Sequence, residues 1–336
     1  MYARRPSWWA DARLVPSLAS YPPPRRSTNL ARLDAGGDVI REVVAISWSA
    51  SVPRAQSRAS SPRVPVVTDL TVESEGARLA VTDVGEGEPI VALHAGVADR
   101  RIWERCTDMW VGAGHRVITF DQRGFGDSVT DTEPYDAVDD LTAVMDACGV
   151  GSAVLVGNSM GGRLAIDAAL GTPQRISALV LIAPAVGGTP PAEPDDSIVE
   201  IVGHYEAAEE SGDIDEVNRV EAHFWLDGPT RPEGRVSGAA RDLFLAMNRR
   251  ALELDETVGD VVERGPAWDR LHEIDAPTLI LVGEYDAGFV MERSKHLADT
   301  IPDAALVTIP GSAHLPPLDA PGVLAPLVTD FLAGNR

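Results

Sequence analysis

The chain has 336 residues, 44% of them hydrophobic and 24% charged, a globular make-up with room for two domains. Its formal net charge of −22 argues against nucleic acid or an anionic membrane as partner and favours neutral or cationic small-molecule substrates. No apolar stretch approaches the roughly 20 residues of a membrane helix, and Cys106 and Cys148 make no disulfide framework, so the reducing cytoplasm is the expected location.

The first 65 residues stand apart, with ten arginines against four acids, net +6, where the remainder carries −28. Tyr21-Pro22-Pro23-Pro24-Arg25-Arg26-Ser27 and Ser57-Arg58-Ala59-Ser60-Ser61-Pro62-Arg63 have no apolar periodicity and predict disorder. Arg4-Arg5 is not followed by a continuous apolar run, which argues against a secretory signal; the Arg- and Ser-rich, acid-poor character is faintly that of an organellar transit peptide. The expectation is a disordered extension or a start placed too far upstream. A chain beginning near Val66 is expected to fold and to be as active as the full one.

Pro89-Ile90-Val91-Ala92-Leu93 reads as a strand running into His94-Ala95-Gly96. Asp121 to Ser128 reads as a turn stitched by Arg123 and Asp127, with Ser128 as a cap. Next comes the apolar run Ala153-Val154-Leu155-Val156, then Gly157-Asn158-Ser159-Met160-Gly161, then the helix-compatible segment Gly162 to Leu170. A strand, G-x-S-x-G and a helix form a nucleophile elbow, in which a strained turn lifts a serine hydroxyl clear of the sheet. Ala178 to Ile182 is a further strand, and about ninety residues separate it from the strand beginning near Thr278. A crossover needs about a dozen, so an insertion is expected. It reads as helical, from the spacing of Ile198, Ile201, Val202 and Tyr205, of Val217, Val220, Phe224 and Trp225, and of the apolar residues between Ala239 and Leu254.

The strand Pro277 to Val282 ends in Gly283-Glu284-Tyr285-Asp286, and Ala305 to Ile309 runs into Pro310-Gly311-Ser312-Ala313-His314. Asp286 and His314 therefore follow strand ends, where the active groups of open α/β sheets collect, in the order serine, acid, histidine. His115, His204, His223, His272 and His296 follow no core strand and read as surface or packing residues. There is no H-E-x-x-H, no metal-ligand cysteine spacing and no Walker lysine, Lys295 being the only lysine, so neither metal nor cofactor is implied.

His94-Ala95-Gly96, Asp121-Gln122-Arg123-Gly124-Phe125-Gly126-Asp127-Ser128, the serine elbow, Gly283-Glu284-Tyr285-Asp286 and Gly311-Ser312-Ala313-His314 span residues 66 to 336 in one order. In these pieces the chain resembles the α/β-hydrolase family of serine esterases, haloperoxidases and enol-lactonases. The resemblance implies a doubly wound, mostly parallel sheet with a helical cap, the core being residues 66–184 and 266–336 and the cap 185–265. It implies Ser159 as nucleophile, His314 as base, Asp286 (rather than Glu284) as acid, with Gly96 and Met160 donating to an oxyanion. His94 would hold the oxyanion loop in shape, although relatives usually carry His-Gly where this chain has His94-Ala95. Phe224-Trp225-Leu226-Asp227-Gly228-Pro229 resembles a cap element of the family, and Trp103, Phe224 and Trp225 are candidates to touch substrate. The implied activity is hydrolysis of small carboxylic esters or lactones through an acyl-enzyme. Perhydrolysis and carbon–carbon bond hydrolysis use the same three residues, the last with a dianionic substrate for which Arg100, Arg101 and Arg163 are the nearest basic groups. A slow ligand receptor or interaction protein is the reading of another class. The sequence leaves the oligomeric state open.

Overall fold

A computed structural model describes residues 67–192, 195–254 and 257–335. The expectations for the first 65 residues lie outside the described residues. The strands are β1 (Val67–Ser74), β2 (Ala77–Val84), β3 (Glu88–Leu93), β4 (His115–Phe120), β5 (Val129–Thr130), β6 (Ala153–Asn158), β7 (Ile176–Ile182), β8 (Thr278–Gly283) and β9 (Ala304–Ile309). They form one sheet in the order β1-β2-β4-β3-β6-β7-β8-β9, with β5 paired to β2. From β4 to β9 the neighbours are parallel, while β1, β2 and β5 join antiparallel at one side.

Every residue of β6 and β8 is buried. Such continuous burial follows from helices covering both faces of a parallel sheet. Ile90, Val154, Val156 and Val180 pack on one face, with Trp103, Trp110 and Val328; the alternate residues Val91, Leu155, Leu179 and Leu181 pack on the other, with Leu141 and Leu164. The covering helices are α1 (Glu104–Gly112), α2 (Ala137–Ala147), α3 (Met160–Gly171), α7 (Gly288–Thr300) and α9 (Pro321–Gly334), with the short α8 (Pro316–Asp319) between the last two. The chain leaves β3 for β4 on one side and then reaches β6 on the other. That reversal opens a crevice at the carboxyl ends of β3 and β6, where ligands of open α/β sheets bind.

Between β7 and β8 lie α4 (Val199–Ser211), α5 (Ile214–Glu221) and α6 (Ala239–Leu254). Asp213 caps α5 by accepting from the Asp215 and Glu216 amides, and Gly212, at φ 71°, ends α4 in the left-handed conformation that suits glycine. Val217 to Trp225 read as helical and are so: α5 runs to Glu221 and continues as a wider π-helical turn over Ala222–Asp227. That turn buries Phe224 and carries Trp225 to the sheet's carboxyl edge.

The segment leading back to the sheet is fastened to the residues just before α2. Tyr135 donates its amide to the Asp260 carbonyl at 3.0 Å and accepts from the Val262 amide at 2.7 Å. Beneath it Arg163 is ion-paired with Glu263 and stands 3.7 Å from Asp167. Burial pushes the Asp167 carboxyl up to about 6, against the opposing pull of Arg163. The folded chain therefore holds this proton more tightly than the unfolded one, so stability falls as pH rises from about 4 through about 6, and the penalty is complete above that. Asp167→Asn is expected to be more stable than the parent at pH 8 by on the order of 2 kcal/mol, the gap closing by pH 4. Thermal unfolding across pH checks this; a variant less stable at pH 8 contradicts it.

Candidate active site

Ser159 sits between the end of β6 and the first residue of α3, with φ 53° and ψ −109°. A serine in this region costs roughly 1–3 kcal/mol and persists only where its surroundings over-determine it. Here the Ser159 amide donates to the Ile182 carbonyl at 2.9 Å, while its own carbonyl accepts from the Arg163 and Ala185 amides, both at 3.0 Å. The flanking glycines are set by close approach. A Cβ on Gly157 would lie 2.3 Å from the Gly161 carbonyl oxygen, and one on Gly161 would lie 2.2 Å from that of Leu93. The elbow thus rests directly on the end of β3, whose Leu93 pairs with Gly157. Ser159 and Met160 are half-buried, whereas Asn158 is fully buried.

His314 donates from Nδ1 to Asp286, 2.9 Å to Oδ2 and 3.1 Å to Oδ1. Both side chains are buried, and Asp286 Oδ1 also accepts from the Ala287 amide at 2.8 Å. With its proton on Nδ1, neutral imidazole presents the Nε2 lone pair as an acceptor. Asn158, the residue before the serine, donates its amide group to the His314 carbonyl at 3.1 Å and to that of Ile182 at 3.1 Å, tying the elbow to the histidine loop. The acid and histidine loops touch through their backbones, since a Cβ on Gly283 would fall 2.0 Å from the Ala313 carbonyl oxygen. Glu284, the alternative acid, is exposed and accepts from the Gly311 amide at 2.8 Å.

His94 is fully buried and burial pushes its pKa down, so it is neutral. Its Nε2 accepts from the Gln122 amide at 3.0 Å, which leaves the proton on Nδ1 to donate to the Ala95 carbonyl at 2.9 Å. The Ala98 amide binds that same carbonyl at 3.1 Å. Because the peptide is planar and trans, fixing the Ala95 carbonyl aims the Gly96 N–H the opposite way. Ala95 itself is buried without a positive φ. Met160 opens α3, and the first amides of a helix have no partner within it.

The turn after β4 differs from its sequence reading. Arg123 does not bind Asp127; both arms of its guanidinium reach the buried Asp140 at 2.8 Å, and it lies over the Tyr135 ring at 4.5 Å. The turn is held by Asp121, whose carboxylate accepts from the Arg100 and Asp127 amides at 2.8 Å each and pairs with the Arg100 guanidinium. Ser128 caps it, its hydroxyl donating to the Asp121 carbonyl at 2.6 Å.

Trp225 lies against the histidine, its ring 4.5 Å from that of His314 and its carbonyl accepting the His314 amide at 3.2 Å. Phe224 packs edge-on to Trp225 at 4.6 Å and is otherwise enclosed. Trp103 is fully buried against Trp110, with its indole nitrogen unpartnered. Met160 borders a small cleft that opens to solvent, with Gln122, Phe125, Tyr135, Arg163 and Val261 among its walls. Arg100, Arg101 and Arg163 are each paired, with Asp121 and Asp127, with Asp99, and with Glu263 and Asp167 respectively.

Two arginines escape sequence reasoning. Arg293 on α7 is buried, its guanidinium pushed down to about 10 by burial while the Asp286 charge acts the other way, so it stays cationic at neutral pH. It falls on a regular helical stripe with Val290 and Leu297, where apolar residues are the rule. Arg235 joins the Trp225 segment to the histidine loop and lies in a turn with no periodicity.

Residues 90–327 match the model of the alpha/beta hydrolase family. The 2-hydroxy-6-oxononadienedioate/2-hydroxy-6-oxononatrienedioate hydrolase of Comamonas testosteroni is 29% identical, the match covering 79% of this chain and 96% of that protein. Among solved structures, a thermophilic esterase from Thermogutta terrifontis superposes with a TM-score of 0.63 at 25% identity, covering 80% of this chain and 99% of its own. Est816, described as an N-acyl homoserine lactone degrading enzyme, gives a TM-score of 0.60 at 26% identity, over 78% and 100% of the two chains. The chain is an enzyme of the alpha/beta hydrolase family.

Proposed function

We propose that this hydrolase cleaves small, uncharged carboxylic esters or lactones through an acyl-enzyme on Ser159. The observation that carries the reading is the buried His314–Asp286 pair, tied through Asn158 to a strained, half-buried serine. Nε2 of His314 takes the Ser159 proton as Oγ attacks the carbonyl carbon, and Asp286 holds Nδ1–H and steadies the imidazolium. The Gly96 and Met160 amides receive the oxyanion, a donor of this kind being worth about 100- to 1,000-fold in rate. His314 then protonates the leaving alcohol, and water releases the acid by the same route in reverse. These steps use only side chains and backbone of this chain.

The uncharged substrate class is supported by the charge pattern. Arg100, Arg101 and Arg163 are already matched by carboxylates, and the chain carries net −22, so a dianion such as the dienedioate named for the Comamonas relative finds no unmatched cation among these three. The test is a panel of p-nitrophenyl esters of increasing acyl length, simple lactones and a 2-hydroxy-6-oxo-dienedioate. Short esters are expected to turn over after a burst of one acyl group per protein, with kcat/KM at least 100-fold above the dienedioate. Preference for the dienedioate sinks the substrate assignment. In the same assay Asp286→Asn is expected to lose about 10,000-fold in kcat, whereas Glu284→Gln keeps most of it.

A further inference from the structure

One guanidinium joins the segment between β7 and β8 to both sides of His314. Arg235 donates from Nε to the Asp227 carbonyl at 2.6 Å and from Nη2 to the Leu226 carbonyl at 2.7 Å, the two residues that follow Trp225. From the other edge Nη1 donates to the Gly311 carbonyl at 2.7 Å, and Nη2 also reaches Asp319 Oδ2 at 2.8 Å. The Asp319 side chain is buried and holds the histidine loop itself, accepting from the Ser312 hydroxyl and, at 2.9 Å, from the Ala313 amide. Arg235 also lies 5.3 Å from the Tyr285 ring centroid, beside Asp286 in the acid loop. His314 stands between the two anchored segments, with the Trp225 ring tilted against its own and the Trp225 carbonyl accepting its amide.

We propose that Arg235 is a positioning residue for His314, through which the segment between β7 and β8 keeps the histidine aligned between Asp286 and Ser159. Only a planar fork of five N–H groups meets acceptors in these four directions; a lysine ammonium at the same place satisfies one or two. The side chain touches no reacting atom, so its loss acts on alignment. A displacement of about 1 Å at a catalytic group costs about 100-fold in rate, and substrate binding need not change. The inference rests on His314 being the general base.

The experiment measures kcat and KM on a short p-nitrophenyl ester, with circular dichroism and thermal midpoints, for the parent, Arg235→Lys and Arg235→Ala. Arg235→Ala is also assayed with guanidinium chloride at non-denaturing concentration. Arg235→Lys, which keeps charge and bulk, is expected to lose at least 30-fold in kcat with KM within threefold of the parent. Guanidinium is expected to restore at least tenfold of the activity lost by Arg235→Ala and to leave Arg235→Lys unchanged. If Arg235→Ala fails to fold, Arg235→Lys alone decides. A kcat within threefold of the parent in Arg235→Lys, a loss that falls in KM, or no restoration in folded Arg235→Ala overturns the proposal. A parent that turns over no ester refutes the reading of His314 instead, so the two failures are told apart.

Discussion

Ser159→Ala is expected to lower kcat/KM on activated esters by about a million-fold, with the thermal midpoint within a few degrees of the parent. The size follows from the chemistry, because the attacking oxygen is gone and only the oxyanion donors and the pocket remain, together good for about 1,000- to 10,000-fold over water in such sites. The small effect on stability follows from the backbone. Alanine keeps the Cβ, so the strain at φ 53° is unchanged, and the amide and carbonyl bonds to Ile182, Arg163 and Ala185 are made by main-chain atoms. Steady-state kinetics and a melting curve check both halves. Residual activity above a hundredth of the parent's places the nucleophile elsewhere.

Gly161→Ala is expected to damage fold and activity together. The new Cβ would lie 2.2 Å from the Leu93 carbonyl oxygen and 2.8 Å from that of His94, and neither is the far end of a flexible side chain. The first turn of α3 must move off β3, carrying Ser159 and the Met160 amide away from the Gly96 loop. Overpacking of this kind costs about 3 kcal/mol, and alanine's better helix propensity returns at most about 1. The net loss of about 2 kcal/mol corresponds to a fall of roughly 3–5 °C in the thermal midpoint. A fall of at least 100-fold in kcat should accompany it. A midpoint and kcat equal to the parent's contradict the tight seating of the elbow on β3.

Much of this architecture was legible because parallel sheets write themselves plainly. Runs such as Ala153 to Val156 and Leu279 to Val282 are apolar throughout because both faces are covered, and the loops after them carry Ser159 and Asp286. Local spacing does not tell which distant loops meet. Arg123 reads as a partner of Asp127, four residues away, yet the topology brings it Asp140, and Arg100 reaches the turn instead. Trp225 shares helical spacing with Val217 and Val220, but spacing does not show that the helix widens from α to π after Glu221, which directs Trp225 to His314. Arg235 and Asp319 are 84 residues apart and give no pattern in sequence at all. Their roles depend on two segments converging on one histidine.

The proposed chemistry depends on Ser159 being a nucleophile activated by His314. Its most direct test is intact-mass analysis after treatment with a fluorophosphonate, which phosphonylates an activated serine and loses fluoride. One adduct per chain is expected on the parent and none on Ser159→Ala or His314→Ala. A folded parent that takes no adduct, or an adduct that survives Ser159→Ala, contradicts it; the first outcome would bring the ligand-receptor reading forward.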